Sequence, residues 1–150
     1  MSLKEQIPND IKNALRNKST VELSVLRMLQ SAIHNKEIDN KEELSDEQVI
    51  EVVSSEVKKR RDAASEFEKV NRPDAAQKEK EEIEILLKYM PEQLSEDQIR
   101  EEVAKAIEES MADGLKDLGK VMKVIMPRMK GKADGKLVHS MVRDLLEKTE

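Results

Sequence analysis

LGKVMKVIMPRMKGKADGK, residues 118–136, is the stretch that best indicates how this chain folds and where it concentrates charge. It holds six basic residues and one acidic residue, a net charge of +5 in a chain whose total is −5. At about 100° per residue, its apolar side chains share one side of a helix: Leu118, Val121, Met122, Ile125 and Met129. The spacing therefore predicts an amphipathic helix that packs on this side.

Lysine side chains occupy the opposite side of the same helical wheel. Lys120, Lys123 and Lys130 project away from the apolar stripe, Lys116 joins them just upstream, and Lys132 lies in the loop GKADG. A cationic face in an acidic protein is typical of an anion site, and a polyphosphate such as RNA is the obvious candidate. The alternative is a solvated helix face whose lysines balance acidic neighbours. The residues alone leave both interpretations open.

The composition of the whole chain favours an all-helical protein. Of the 150 residues, 39% are charged and 37% hydrophobic, with four Gly and four Pro, a profile typical of good helix formers. Phe67 and Tyr89 are the only aromatic residues, which argues against modules that stack single-stranded bases on rings. Because there is no Cys, disulfides, thiolate metal sites and Cys nucleophiles are excluded.

Targeting signals are not evident in the sequence. No apolar run approaches the roughly 20 residues that a membrane-spanning helix needs. The first ten residues, MSLKEQIPND, lack the apolar core of a secretory signal. These features predict a cytoplasmic protein that does not engage a membrane.

Hydrophobic periodicity and capping signals predict several helices before residue 118. Apolar residues at steps of four predict a helix over residues 3–17, with a kink or a later start at Pro8. Further helix starts are predicted by capping-box spacing, at Ser19 with Glu22, Ser45 with Gln48, and Ser95 with Gln98. The segment MPEQLSED, which begins at Met90, is the predicted domain boundary. We therefore predict an all-α fold with an N-terminal long-helix hairpin or bundle, residues 1–90, and a small C-terminal three-helix domain, residues 95–150.

Turn and capping signals predict the ends of the C-terminal helices. Asp113 and Gly114 are expected to end the first one. Asp117 can cap the Lys-rich helix, and Asp134 can open the last helix. Pro127 removes one backbone hydrogen bond, so it should kink or end the Lys-rich helix near its last turn.

Catalytic and metal-binding constellations are absent from the sequence. His34 and His139 lie far apart and have no partner at a metal-ligand spacing, and there is no nucleophile elbow or phosphate-binding glycine loop. We therefore name no catalytic residue, no metal ligand and no cofactor. Residues 58–61, with sequence KKRR, wrap a whole helical turn, which predicts a solvated turn; a secondary anion contact is the alternative.

Three strings of the chain resemble one protein family: LSVLRMLQSAIHNKEI, KYMPEQLSEDQI and LGKVMKVIMPRMKGKADGKLV. Together they are similar to the YqeY-like proteins over essentially the whole chain. The same architecture resembles the C-terminal tail of the B subunit of the aspartyl/glutamyl-tRNA amidotransferase, most clearly at residues 130–133, whereas Pro127 and Gly135 belong to the free-standing version. The resemblance implies two helical domains, tRNA as the ligand, and an association with carbon–nitrogen ligase activity that uses glutamine as amido donor.

These observations lead to three hypotheses about function. The first is a free-standing tRNA-binding protein, accessory to tRNA-dependent amidation, with the amidotransferase or another translation-related protein as a partner. Its RNA-binding residues would all be basic: Lys116, Lys120, Lys123, Arg128, Lys130, Lys132 and Lys136. The second is a protein-interaction module that does not bind nucleic acid. The third is an enzyme in its own right, although the amidotransferase's catalytic parts have no counterpart in this chain.

Overall fold

A computed structural model describes residues 1–148, and the regular structure within this range is helical throughout. Its seven α-helices are α1 (Leu3–Arg16), α2 (Thr20–Asn40), α3 (Asp46–Lys69), α4 (Pro73–Leu87), α5 (Glu96–Glu109), α6 (Leu118–Met129) and α7 (Gly135–Glu147). One 3-10 turn, Leu115–Asp117, precedes α6. The prediction of an all-α fold is confirmed. None of the described helices combines the length and apolar character needed to cross a bilayer.

The helices group into two compact units, Met1–Met90 and Pro91–Glu150. Residues 91–94, which lie between the two predicted domains, belong to the second unit. Gln93 Nε2 donates to the Gly131 carbonyl at 2.8 Å, and Leu94 N–H donates to the Lys132 carbonyl at 2.9 Å. Independent folding of residues 1–90 and 95–150 stays a prediction.

The first unit buries one apolar core between α1, α2, α3 and α4. Helix α2 contacts the other three helices. The buried core residues are Ile7, Val25, Leu26, Leu29, Ile33, Leu44, Val49, Val53, Val57, Ile83, Leu86 and Tyr89. Tyr89 also donates its hydroxyl to Asp10 Oδ2 at 2.5 Å, so the polar end of this buried ring is satisfied.

The second unit packs α5, α6 and α7 around a separate core. Its buried members are Ile99, Val103, Ala106, Val121, Ile125, Met129, Val138, Met141, Val142 and Leu146. Burying each large aliphatic side chain contributes about 1.5–3 kcal/mol, so the orientation of α6 is set by Val121, Ile125 and Met129. Met122 and Met126 pack against the same core. Helix α6 ends at Met129, two residues after Pro127, as predicted.

Two of the three predicted capping boxes are present. Ser45 with Gln48 opens α3, and Ser95 with Gln98 opens α5. Ser19 is the N-cap residue of α2, which confirms the predicted helix start, but its side chain makes no capping hydrogen bond, so the predicted capping box was wrong. The short connection after α1 holds Ser19 at ψ 85°, whereas Ser45 has the extended ψ of 168° that a capping serine adopts.

Helix α1 covers nearly the predicted range of residues 3–17, and of the two alternatives at Pro8 the later start was wrong. A capping box of Ser2 and Glu5 starts the helix at Leu3. Pro8 then lies inside α1, where it costs one backbone hydrogen bond. The sequence signal for this start is the Ser2–Glu5 spacing itself, which is the same as in the other boxes.

The connection between α5 and α6 differs from the prediction at both of its ends. Helix α5 ends at Glu109, before the predicted end at Asp113 and Gly114, and Met111 at φ 55° is the left-handed residue that follows it. Gly114 also has a positive φ, 82°, in the turn before α6. Asp117 does not cap α6, since its carboxylate accepts the backbone N–H of Asp113 at 2.8 Å. The 3-10 turn explains this difference, because Leu118 N–H at the start of α6 is already bonded to the Leu115 carbonyl. Asp134 does cap α7, accepting from Lys136 N–H.

Candidate nucleic-acid interface

A row of exposed lysines follows one side of α6 and the turn before it. Val121, Ile125 and Met129 are at most 2% exposed, which fixes the opposite side of the helix toward solvent. Lys116, Lys120 and Lys123, spaced by four and three residues, are all exposed on that side. We call these three residues the basic face. With a rise of about 1.5 Å per residue, it presents a short line of positive charge along the helix.

The loop after α6 adds further cations. Gly131 has φ 77°, a left-handed conformation that favours glycine, and it reverses the chain between exposed Lys130 and exposed Lys132. The bonds from Gln93 and Leu94 to this loop hold its backbone in place. Lys136 lies in the first turn of α7 and is also exposed.

Ion pairing separates Arg128 from the three lysines of the basic face. Arg128 Nη2 lies 2.5 Å from Glu109 Oε2 on α5. The hydrogen bond between them raises the pKa of Arg128 and lowers the pKa of the Glu109 carboxyl. Within residues 1–148, by contrast, no ion pair joins Lys116, Lys120 or Lys123 to an acid. The predicted RNA-binding set is therefore divided, because Arg128 has an intramolecular partner and the basic face does not.

Gly119 is a feature of the interface that sequence reasoning missed. It lies in the first turn of α6, exposed, and a Cβ added there would meet no atom within 4 Å. Glycine in a helix costs about 1 kcal/mol relative to alanine, and packing within this chain does not explain it. On the helical wheel Gly119 is about 40° from Lys123. The only signal was a Gly inside a strongly helical pattern, which can mark close approach of another backbone.

The second unit offers no aromatic ring for stacking. Residues 91–150 contain no Phe, Tyr or Trp. Proteins that bind single strands without sequence preference combine cationic grooves with aromatic stacking. The chemistry present in α6 and its loop is therefore suited to phosphates, which a folded RNA presents along its helices.

The basic cluster at residues 58–61 is not a solvated turn. Lys58 and Lys59 are exposed, but Arg60 is buried and donates from Nη1 to the Glu56 carboxylate at 2.9 Å and to the Glu56 carbonyl at 3.1 Å. Its Nε lies 3.7 Å from Glu82 Oε2, an ion-pair distance too long for a hydrogen bond. The prediction of a fully solvated turn was wrong because α4 packs against α3 and brings Glu82 to Arg60.

The two histidines do not form a metal site in the described residues. Both are exposed, and no group of three or more His, Cys, Asp or Glu within residues 1–148 is placed to hold a metal ion. His34 borders a cleft of about 420 Å³ between α1 and α2. The Lys4–Glu37 ion pair at 2.5 Å lies in this cleft, and its hydrogen bond raises the pKa of Lys4 and lowers the pKa of Glu37.

Comparison with known proteins gives one family and a consistent set of relatives. The family model described as Yqey-like protein matches residues 4–146. Three relatives are all named Altered inheritance of mitochondria protein 41, mitochondrial. The protein of Pyrenophora tritici-repentis is 28% identical over 140 residues, 91% of this chain and 77% of the relative. The protein of Clavispora lusitaniae is 34% identical over 77% and 69% of the two chains, and that of Kluyveromyces lactis is 37% identical over 55% and 45%.

The names of these relatives overturn the predicted cytoplasmic location. Each of them is described as mitochondrial. The prediction depended on the missing apolar core of a secretory signal. Mitochondrial targeting segments are amphipathic and Arg-rich rather than apolar, so the missing apolar core did not test for this compartment.

Proposed function

Because the chain belongs to the YqeY-like family, we propose that it is a free-standing RNA-binding protein whose ligand is tRNA. The observation that carries the proposal is the basic face: Lys116, Lys120 and Lys123 are exposed and make no ion pair with the described acids. The chain as a whole has a net charge of −5, so an exposed cationic row is a local departure from its overall charge. Such a departure favours a polyanionic ligand.

The expected strength of this contact follows from counterion release. If Lys120, Lys123, Lys130 and Lys132 contact about four phosphates, the logarithm of the binding constant should fall with log salt at a slope of about −3 to −4. Contacts of this kind position a protein on RNA without reading its sequence. We therefore expect binding to several tRNA species with similar affinity.

Gly119 supports the same proposal through its missing side chain. Its open surroundings leave room for another backbone to approach α6 beside Lys123. A side chain at this position would hold a phosphate away from the helix, whereas glycine lets it come close. The helix stability lost to this glycine is then explained by the ligand.

In this proposal the chemistry of tRNA-dependent amidation belongs to another protein. A carbon–nitrogen ligase that uses glutamine would perform the transfer, and this chain would supply a tRNA contact as an accessory. The amidotransferase or another translation-related protein is the partner we propose. The mitochondrial names of the relatives suggest that such a role would operate in mitochondrial translation.

The test is the salt dependence of bulk tRNA binding to matched charge variants. Lys120→Gln with Lys123→Gln should flatten the slope by about two units and weaken binding across tRNA species. Lys58→Gln with Lys59→Gln removes the same charge from exposed positions of α3 and serves as the control. If both double variants lost the same modest amount of tRNA affinity, the loss would reflect the net charge of the protein and not a binding site. No loss in either variant would refute the proposal and favour the protein-interaction alternative.

The protein-interaction alternative has its own structural support. Large apolar side chains are exposed on α2, including Met28 at 52% and Ile38 at 61%. These residues lie in the first unit, whereas the basic face lies in the second. Protein binding and RNA binding would therefore use different residues, and one chain can carry both.

A further inference from the structure

The side chain of Met28 connects the surface of α2 with the buried ion pairs of α3. Met28 is 52% exposed and does not belong to the apolar core of the first unit. Its sulfur lies 3.9 Å from Nη2 of Arg60, which donates a weak hydrogen bond to it. Met28 is therefore a thioether that reagents in solution can reach and that also contacts a buried cation.

Arg60 has more hydrogen-bonding capacity than its surroundings use. The residue is 6% exposed, and its Nη1 donates to the carboxylate and the carbonyl of Glu56. Its buried Nε has no hydrogen-bond partner among the described residues, because Glu82 Oε2 is 3.7 Å away. Its Nη2 faces the Met28 sulfur, which is a weak acceptor. A stronger acceptor at this sulfur would therefore improve the hydrogen bonding of a buried cation.

We propose that Met28 is a reversible oxidation site whose sulfoxide is bound by Arg60. A lone pair of the sulfur attacks one oxygen of hydrogen peroxide, and an S–O bond forms as the O–O bond breaks. The other oxygen takes up the proton of the transferred one and leaves as water. The sulfur loses two electrons and the peroxide gains them. The 3.9 Å between Sδ and Nη2 leaves room for the added oxygen, since N–H···O bonds span about 2.7–3.2 Å.

This oxidation should stabilise the first unit, whereas oxidation of a core methionine disrupts its surroundings. Met28 is already at the surface, so its sulfoxide brings no polar group into the core. The rotatable bonds of the side chain let the oxygen turn toward Nη2 of Arg60. A hydrogen bond from a charged donor is about twice as strong as a neutral one. The oxidised side chain should therefore hold α2 to α3 more tightly than the thioether does.

Three other methionines provide a comparison within the same chain. Met111 is 84% exposed in the connection after α5, and its sulfur accepts no hydrogen bond within residues 1–148. Met129 and Met141 are buried in the core of the second unit. Exposure alone therefore predicts oxidation at Met28 and Met111. Of these four residues, Met28 is the one whose sulfur contacts a buried cation.

Graded oxidation of the full chain with hydrogen peroxide tests the proposal. Peptide mass spectrometry should find sulfoxide at Met28 and Met111 well before it appears at Met129. Hydrogen–deuterium exchange in α2 and α3 should then slow by up to about tenfold for amides that exchange when these helices separate. Exchange in α7 should stay the same. Oxidation of Met28 no earlier than Met129, or equal or faster exchange in α2 and α3 after oxidation, would overturn the proposal.

Reduction of the sulfoxide tests whether the change is reversible. Methionine sulfoxide reductases of both epimer specificities should restore the original exchange rates in α2 and α3. Slow exchange that persists after mass spectrometry shows reduced Met28 would exclude its oxidation as the cause and overturn the proposal.

Two variants of Met28 test the acceptor without an oxidant. Met28→Gln supplies a carbonyl oxygen close to the position of the sulfoxide oxygen, whereas Met28→Leu supplies no acceptor. Gln, Leu and Met have similar helix propensities, so a difference between the variants reports the acceptor. The melting temperature of Met28→Gln should be higher than that of Met28→Leu by about 2–4 °C. Peroxide should leave exchange in α2 and α3 of Met28→Leu unchanged. Equal melting temperatures of the two variants would refute the contact with Arg60.

Arg60→Lys assigns the effect to the guanidinium. Lysine keeps the positive charge but removes the planar fork of donors, so the difference between Met28→Gln and Met28→Leu should disappear in this background. A difference that persists would overturn the role of Arg60, and the Met28 variants in the natural chain decide the question if Arg60→Lys does not fold. The inference does not rest on tRNA binding, because Met28 belongs to the first unit and the basic face to the second.

Discussion

Two stretches of this chain are rich in basic residues but have different structural environments. Residues 58–61 are KKRR, and residues 116–123 contain three lysines. In α3, Arg60 is buried between Glu56 and Glu82. In α6, Lys120 and Lys123 are exposed on the side away from the core. The difference teaches that the density of positive charge does not locate a ligand site. The acids that neighbouring helices place against each cation decide whether it is accessible.

The largest expected effect comes from breaking the buried cluster. Arg60→Ala removes the buried cation that faces the largely buried carboxylates of Glu56 and Glu82 and leaves Glu56 with the exposed Lys59 alone. It should lower the free energy of unfolding by about 3–5 kcal/mol. Urea denaturation followed by circular dichroism measures this. The control is Lys58→Ala, because Lys58 lies two positions before Arg60 in the same helix and is exposed. This variant should change the free energy of unfolding by no more than about 0.5 kcal/mol. Similar losses of stability in both variants would show that the buried ion pairs of Arg60 do not stabilise the fold.

The free energy of unfolding should also depend on pH through Glu79, whose carboxyl interacts with Glu82 and Arg60 of the buried cluster. Burial, followed by the nearby Glu82 carboxylate, raises the pKa of Glu79 above its ordinary value of 4.5, although Arg60 and Lys78 oppose this shift. Just above pH 4.5 the folded state then keeps a proton that the unfolded state has lost, so stability falls as pH rises through this window. Glu79→Gln should remove that decline. Urea titrations at pH 4.5 and pH 7 measure it, and an unchanged decline in the variant would contradict the assignment.

Gly119→Ala should change protein stability and tRNA affinity in opposite directions. The added methyl group meets no atom within 4 Å, so the variant should gain up to about 1 kcal/mol of stability from better helix propensity. If a phosphate approaches α6 at this point, tRNA affinity should fall at the same time. Thermal melts and tRNA titrations of one preparation measure both quantities. Higher stability with unchanged tRNA affinity would remove Gly119 from the interface.

Variants of Arg128 should have the smallest effect. They test, within α6 itself, whether a neighbouring acid decides how accessible a cation is to a ligand. Because Glu109 already binds Arg128, Arg128→Gln should weaken tRNA binding less than Lys123→Gln does. Glu109→Gln should release Arg128 toward solvent and strengthen tRNA binding slightly, with a steeper salt slope. An Arg128→Gln loss as large as that of Lys123→Gln would show that the ion pair opens when tRNA binds.

Much of the fold could be predicted because its signals are local. Apolar spacing and the capping pairs at Ser45 and Ser95 were enough to predict α3 and α5, and the apolar stripe of α6 faces the core as expected. The capping box predicted at Ser19 and the helix end predicted at Gly114 were wrong because the conformation of a short connection depends on both helices that it joins. At these positions Met111 adopts the left-handed backbone, and Ser19 is held out of the capping geometry.

By itself, the sequence determined the helical class, the family and the exposure of the lysines on α6, because helical periodicity and family motifs are properties of neighbouring residues. Only the tertiary structure decided which cations have partners. Arg60 meets Glu82, 22 positions later in the sequence, and Arg128 meets Glu109 from another helix. The tertiary structure also decided that Met28 and Ile38 of α2 are exposed and that no atom lies within 4 Å of a Cβ added at Gly119. These outcomes depend on distances between side chains from different helices, which packing sets and local spacing does not contain.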